Sequence, residues 1–215
     1  MQKMMFDTKY GLEQATIIGS KNQTRRIEKQ LAVLPTQFGK DEYTVVHWQI
    51  DHFIVRYYWQ GALIETYEVT PKYKVGEVVA IAQSYRSLGY DPMFCPPGIE
   101  DGVGGEEGWS NKMFVKGELM KNFIKITDVR LQRLQDITDE ECLKEGVALF
   151  GKEDKLKVTA YYVSGMYQKY CRGILMTFHT PREAYAELID RLSGKDTWKK
   201  NPWVLAYSFE KTERI

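Results

Sequence analysis

Three consecutive runs of β-forming residues in the first third of the chain limit the folds that this sequence can adopt. The runs are YTVVHWQI, FIVRYYW and ALIETYEV, all rich in valine, isoleucine and aromatic residues. Asp51-His52 and Gln60-Gly61 separate them, and links of two residues are typical of tight hairpin turns. The segment 43–70 is therefore predicted to be a β-meander of three antiparallel strands.

Further strand signals lie on both sides of this meander. Residues 1–7 carry enough apolar side chains for a short first strand. The run VVAIA at 78–82 is apolar without alternation, which indicates a central strand buried on both faces. The segments MFVKGELM (113–120), FIKITDVRLQRL (123–134) and PWVLAYSFEK (202–211) also have strand character.

An amphipathic stretch near the N-terminus, TKYGLEQATIIGSK, predicts a helix because its apolar residues recur near helical spacing. Asp7 or Thr8 is the expected N-cap. Gly19 either ends this helix in a left-handed conformation or begins the turn that follows it.

Two capping boxes predict two further helices. Thr138 begins the first, T-D-E-E, which predicts a short helix over about Asp139–Glu145 that stops at Gly146. The second, T-P-R-E, begins at Thr180 with proline at the first helical position, and Gly194 closes its helix. The predicted apolar face of this longer helix consists of Ala184, Tyr185, Leu188, Ile189 and Leu192. In chain order, these elements predict an α+β fold with a mixed or barrel-like sheet.

Composition indicates a soluble globular protein, and we expect residues 1–215 to form one domain. Hydrophobic residues make up 43% of the 215 residues and charged residues 27%, enough for a substantial core. The chain has no apolar signal core and no apolar run of 18 residues, which argues against secretion and membrane insertion. Cys95, Cys142 and Cys171 show no C-x-x-C spacing, so we expect a reduced, cytoplasmic protein without disulfides or structural zinc.

The stretch GSKNQTRR at 19–26 concentrates more polar chemistry than any other part of the chain. If its backbone stays helical or turns once, Lys21 and Thr24 lie on one side. The like charges of Arg25 and Arg26 favour the neutral form of Lys21, and a neutral lysine could take a proton from the Thr24 hydroxyl. From the residues alone, a solvated basic turn is the more common explanation of such a charge run.

The pattern G-x-K-x-x-T-x-R, present as Gly19, Lys21, Thr24 and Arg26 after a helix, resembles the signature of the ASCH family. The segments KYKVGEVVAIAQ, VRLQRLQDITDEECLKEGV and PWVLAYSFE are similar to later strands and a short helix of that family. The resemblance implies a PUA-like small β-barrel with a mixed sheet, flanking helices and β-rich insertions. The insertions would lie at 43–70, 88–109 and 151–172. The size of the chain and its segments NKMFVK, TPREA and NPW resemble those of phage or prophage ASCH proteins.

One branch of the family, the small bacterial N4-acetylcytidine amidohydrolases, is similar at a catalytic lysine, threonine and glutamate. The resemblance implies that Lys21 is the base, Thr24 the nucleophile and Glu145 the acid that protonates the leaving amine. Arg26 or a backbone N–H near Gly19 would then stabilise the oxyanion. The chain departs from the family pattern in its size, about twice that of those enzymes, and at Gln83, where many members have an acidic residue.

Three functions follow from these observations as expectations. The first is a module that binds nucleic acid, foremost RNA, or a modified nucleobase, with Lys21, Arg25 and Arg26 contacting phosphate or base edges. Trp109, at the end of a glycine-rich loop, could close over such a ligand. The second is an amidohydrolase that acts on an N-acylated nucleoside, and the third is a phage accessory protein that binds another protein through the meander. A net charge of +1 favours a single base over a long duplex.

Two other groups of residues carry weaker signals. His47 and His52 have no third ligand nearby at metal spacing, so we expect no metal site and no cofactor. Four aromatic residues of the meander could form a stacking platform for bases, although alternating aromatics in a strand are more often core; they are Trp48, Tyr57, Tyr58 and Trp59. The sequence leaves the oligomeric state open.

Overall fold

A computed structural model gives the fold of residues 1–34, 39, 42–91, 93, 107–150, 160–167 and 174–213. Within these ranges the strands are β1 (Lys3–Met4), β2 (Gln23–Ile27), β3 (Glu42–Gln49), β4 (His52–Trp59), β5 (Ala62–Val69), β6 (Val78–Ile81), β7 (Phe123–Arg133), β8 (Ala148–Phe150), β9 (Ala160–Tyr162) and β10 (Trp203–Thr212). The α-helices are α1 (Leu12–Ile18), α2 (Asp139–Lys144), α3 (Pro181–Ser193) and α4 (Thr197–Lys200).

The main sheet has five strands in the order β1-β6-β7-β10-β2. β1 runs parallel to β6 and the other neighbours are antiparallel, so the sheet is mixed and the fold is α+β, as predicted. β6 lies inside the sheet with Val79, Ala80 and Ile81 fully buried, which confirms the central strand expected from the apolar run. In the sheet as described, β2 is an edge strand.

The β-meander is confirmed, and β3, β4 and β5 form a three-stranded antiparallel sheet of their own. One face, which includes Phe53, Val55 and Val69, packs on the main hydrophobic core. The prediction of the first turn was wrong by one residue. His52 pairs with Gln49 and so belongs to the ladder, which leaves Ile50 and Asp51 as the turn.

The segment 113–120 is not a strand, contrary to prediction. It contains a turn of 3₁₀ helix at Gly117–Leu119 and buries Val115 and Met120 in a second, smaller core cluster. The Nζ of Lys3 donates hydrogen bonds to the carbonyl oxygens of Lys112, Met113 and Val115. These carbonyls are therefore satisfied without a neighbouring strand, which apolar content alone does not reveal.

The N-terminal helix exists, but its predicted N-cap was wrong. Oδ1 of Asp7 accepts a hydrogen bond from the backbone N–H of Tyr10 at 2.8 Å, which stabilises a turn that precedes the helix. The helix begins one residue after Gly11, whose left-handed backbone (φ 66°) reverses the chain. Gly19 ends the helix, also in a left-handed conformation (φ 85°), as one of the two predicted alternatives required.

Both capping boxes are confirmed. The hydroxyls of Thr138 and Thr180 accept from the N–H groups of Glu141 and Glu183, whose carboxylates accept in return. Four of the five predicted apolar residues of α3 are buried. The fifth, Leu192, is 39% exposed and lines a cavity beside the helix.

Parts of the sequence-based predictions concern residues that the structure does not describe. Residues 94–106, 151–159 and 168–173, which make up most of two predicted insertions, lie outside the described ranges, as do Cys95 and Cys171. Cys142 is a free thiol in α2, and burial raises its pKa to about 12. Among the described helices, none has the length and apolar character needed to span a bilayer.

Candidate functional site

The GSKNQTRR stretch connects α1 to the edge strand β2. Gly19 needs its positive φ for this turn and not for space, because a Cβ there would meet no atom within 4 Å. From Gln23 onward the backbone is extended, so of the two geometries considered for Lys21 and Thr24 the helical one does not occur and the chain turns between α1 and β2. Lys21 lies in the turn and Thr24 on the edge strand, and both side chains line the same cavity.

Lys21 is buried, with 1% of its side chain exposed. Its Nζ donates to Oε2 of Glu145 at 2.7 Å, to the carbonyl oxygen of Glu145 at 2.8 Å and to the carbonyl oxygen of Gln23. An ammonium group has three N–H donors, so all of them are used. Burial lowers the pKa of Lys21 from its ordinary value of 10.5, and the carboxylate of Glu145 opposes this effect.

Arg25 extends the same set of contacts to a second carboxylate. Its guanidinium donates to Oε1 of Glu145 at 3.0 Å and to Oε2 of Glu141 at 2.6 Å, and none of its side chain is exposed. Arg130 donates to the other oxygen of Glu141. These five residues form what we call the buried ion network. Its two carboxylates, Lys21 and Arg25 are buried, whereas the side chain of Arg130 is 44% exposed at its outer end.

The capping box of α2 places both carboxylates. Glu141 is the reciprocal residue of the box and its Oε2 also accepts from the N–H of Thr138, while Glu145 follows one helical turn later on the same face. Burial acts to raise the pKa of Glu141, but the hydrogen bond from Arg130 and the charge of Arg25 outweigh it, so the pKa is lowered. Glu141 therefore stays ionised between two guanidinium groups.

A cavity of about 450 Å³ opens beside this network. Lys21, Arg25 and Glu145 contribute charged groups to its lining, and Thr24 lies in the same wall. The remaining walls come from aromatic and aliphatic side chains of the N-terminal segment, of α1 and of α3, chiefly Phe6, Leu12, Tyr185, Leu188 and Leu192. Arg26 and Lys29 are exposed cations of the lining. The cavity thus combines charged, apolar and hydroxyl-bearing surface.

Several polar groups of the lining have no hydrogen-bond partner among the described residues. Thr24 and Tyr185 make no hydrogen bond through their hydroxyls there, and the Nε of Arg25 is buried without an acceptor. Burial raises the pKa of Tyr185 well above its usual value, so its hydroxyl stays protonated and can donate. The two hydroxyls can bond to a polar molecule that enters the cavity.

The structure brings together five of the residues predicted from sequence: Lys21, Thr24, Arg25, Arg26 and Glu145 all line this cavity. Gly19 does not line it, and its N–H already donates to the carbonyl oxygen of Thr16. Trp109 is not part of the site either. It packs against the second core cluster, whose members include Tyr85 and Val115.

Sequence reasoning missed three contributors to the site. Glu141 could have been suspected, because it lies four residues before Glu145 and so shares its helical face. Tyr185 was assigned to the apolar face of α3, and no sequence pattern indicates that its hydroxyl belongs to a polar site. Phe6 carries no local signal; its ring lies 5.9 Å from Nζ of Lys21 and 5.8 Å from the guanidinium of Arg26.

The aromatic residues of the meander lie elsewhere. Tyr57 packs against the main core, and Tyr58 stacks on Tyr43 with ring centroids 4.9 Å apart. Neither lines the cavity beside the ion network. Across the described part of the chain, no group of three histidine, cysteine or carboxylate side chains is arranged to hold a metal ion.

The chain was also compared with known proteins. No family model, curated protein or solved structure matched it, so function has to be argued from the chemistry of the cavity.

Proposed function

We propose that the cavity beside the buried ion network binds a single nucleobase or nucleoside, either free or within an RNA strand. The observation that carries this proposal is the pairing of a cavity of about 450 Å³ with the free hydroxyls of Thr24 and Tyr185. Pockets for small molecules commonly have such volumes, with apolar walls and a few polar groups that fix orientation. A base needs both features, because it has flat faces and a polar edge.

The charge distribution supports a small polar ligand over a long duplex. The whole chain has a net charge of only +1, whereas proteins that bind long nucleic acids usually have a clear basic excess. Arg26 is exposed beside the cavity, and a planar guanidinium can stack on a base. Lys21 and Arg25 act in this proposal through the shape and charge of the lining, because most of their donors are already used.

We also propose that the chain is a PUA-like module of the ASCH type. The mixed sheet is compatible with this fold, and the G-x-K-x-x-T-x-R stretch borders the cavity, where a ligand-binding signature is expected. The main sheet as described is open, with β1 and β2 at its edges. Closure into a small β-barrel is therefore a proposal only.

Nucleoside binding to two single-atom variants tests the proposed function. Thr24→Val and Tyr185→Phe each remove one free hydroxyl and keep the shape of the side chain. We expect each to weaken binding about threefold to tenfold, the effect of one lost hydrogen bond. Tyr58→Phe on the meander is the matched control and should bind as the unmodified protein does. No binding of nucleosides or short RNA at millimolar concentrations would refute the proposal.

A second candidate function is amidohydrolysis of an N-acylated nucleoside such as N4-acetylcytidine. It is favoured by one observation, namely that Lys21, Thr24 and Glu145 line one cavity and that Lys21 is bonded to Glu145 at 2.7 Å. The three N–H donors of Lys21 are all engaged, so it cannot serve as a base in this state. Transfer of a proton from Nζ to the Glu145 carboxylate would produce a neutral amine and a carboxylic acid.

The reaction then proceeds in balanced steps. Lys21 takes the proton of the Thr24 hydroxyl as its oxygen attacks the acyl carbon, and Glu145 protonates the leaving amine as the C–N bond breaks. These two proton transfers return Lys21 and Glu145 to their ion pair. Water then hydrolyses the threonyl ester, which restores the Thr24 hydroxyl and releases the acid. Incubation with N4-acetylcytidine tests this candidate: acid should be released by the unmodified protein and not by Thr24→Val. No release by the unmodified protein would exclude this substrate.

A further inference from the structure

A second cavity, of about 580 Å³, lies next to the first. The two cavities share Met5, Arg26, Ile27 and Lys29 in their linings, so only the end of β2 and the residues beside it separate them. The strand register connects them as well. Thr24, in the first cavity, pairs directly with Tyr207, in the second, and paired residues of neighbouring strands project from the same side of a sheet.

The second cavity is strongly cationic for a protein of nearly zero net charge. Four cationic side chains line it, against one carboxylate, Glu28. The cations are Lys3, Arg26, Lys29 and Lys72. Oε1 of Glu28 accepts from the N–H of Gln30 at 2.9 Å, so it caps the 3₁₀ helix Lys29–Val33 that follows. The cavity therefore favours an anion.

Two of these cations are free to contact a ligand. Lys3 is bonded to three backbone carbonyls, and Arg26 donates one hydrogen bond to the carbonyl oxygen of Met5. Lys29 and Lys72 are exposed and form no ion pair with any residue in the described ranges. Nζ of Lys72 lies 5.4 Å from the ring centroid of Tyr73, at the wall of the cavity.

We propose that the second cavity binds the phosphate of a nucleotide whose base lies in the first cavity. The inference rests on the proposed function and narrows it, because the ligand becomes a phosphorylated nucleoside and not a free nucleoside. In a nucleotide the sugar lies between base and phosphate. In the proposed complex it would lie at the lining that the two cavities share. Arg26 and Lys29 belong to both linings and can contact the sugar-phosphate junction, while Lys72 contacts the phosphate alone.

Calorimetric titration of a nucleoside and of its 5′-monophosphate into the full chain tests this inference. We expect the monophosphate to bind at least about tenfold more tightly than the nucleoside, since charge-assisted hydrogen bonds to phosphate are strong. Lys72→Gln should weaken binding of the monophosphate about threefold to tenfold and leave binding of the nucleoside unchanged. Lys200→Gln, which changes an exposed lysine of α4, is the matched control and should change neither affinity.

The outcomes separate the inference from the proposed function. The inference is overturned if nucleoside and monophosphate bind with equal affinity, or if Lys72→Gln and Lys200→Gln lose equal affinity for the monophosphate. Either result is still compatible with nucleoside binding in the first cavity. Binding of neither ligand overturns both. A dinucleotide provides the last arm: tighter binding than the monophosphate identifies a nucleotide within RNA as the ligand, and equal binding identifies the free nucleotide.

Discussion

Lys21 and Glu145, 124 positions apart in the chain, are joined by two hydrogen bonds from one nitrogen. Nζ of Lys21 donates to the side chain and to the backbone carbonyl of Glu145, so it fixes both the carboxylate and the end of α2. The turn after α1 is thereby attached to α2, which carries both carboxylates of the buried ion network. Lys21, which was predicted to be a reactive group, therefore stabilises the fold in this state.

Loss of the Glu145 carboxylate should destabilise the protein strongly. Glu145→Gln leaves the buried Lys21 without a carboxylate and Arg25 with Glu141 alone, and an uncompensated buried charge typically costs about 3–5 kcal/mol. Urea unfolding measures the change in the free energy of unfolding. Glu140→Gln, an exposed carboxylate of the same helix, is the control and should change it by less than about 0.5 kcal/mol. Similar values for the two variants would contradict the role of the network.

Stability should depend on pH through Glu141. Its pKa is lower in the folded protein than the ordinary value of 4.5, so at acid pH the unfolded chain binds the proton more readily. Its contribution is therefore complete above pH 4.5 and is lost as the pH falls through the folded pKa. In Arg130→Gln, which removes one hydrogen bond to Glu141, we expect lower stability at pH 7 and a smaller loss on acidification. Urea unfolding between pH 7 and pH 3 tests this; parallel curves for both proteins would refute it.

Two glycines that flank the site should respond differently to alanine. Gly19→Ala introduces only the strain of a left-handed backbone, about 1–2 kcal/mol, because a Cβ there meets no neighbour. Gly146→Ala adds a close contact, since a Cβ would lie 2.8 Å from Cδ2 of Leu12. Thermal unfolding of both variants should show a larger decrease in Tm for Gly146→Ala. A larger decrease for Gly19→Ala would contradict the packing of Gly146 against α1.

Thr24→Val should separate stability from function. The Thr24 hydroxyl bonds to no described residue, so its removal should change the free energy of unfolding by less than about 1 kcal/mol. The same variant should lose affinity for the ligand. Urea unfolding and calorimetry on one preparation measure both quantities. A large loss of stability would show that the hydroxyl has a structural role instead.

Elements whose signals are local could be predicted from the sequence. The capping boxes at Thr138 and Thr180 place α2 and α3 because each box is closed by residues within one turn. The meander could be predicted for the same reason, since its strands pair with their neighbours in the chain. The error at the first turn arose because both strands begin one residue earlier than the apolar pattern indicates. Ile50 was assigned to the strand for its apolar side chain, but it lies in the turn with a left-handed backbone (φ 52°).

Features that depend on distant partners could not be predicted. The segment 113–120 resembles a strand until Lys3, more than 100 residues earlier, is seen to bond its carbonyls. The basic stretch 19–26 resembles exposed surface, yet Lys21 and Arg25 are buried because α2 supplies their carboxylates. Tyr185 joins the site only because α3 packs against α2, a relationship that no short pattern encodes.

Mapping of amide chemical shifts by NMR tests the central claim most directly. On saturation of the protein with a nucleoside, we predict that the amides which shift most belong to residues 21–29 and to 185–192 of α3, around the cavity beside the ion network. The amides of the meander, 42–69, should remain unchanged. Shifts concentrated on the meander around Tyr43 and Tyr58, or no shifts at all, would contradict the account.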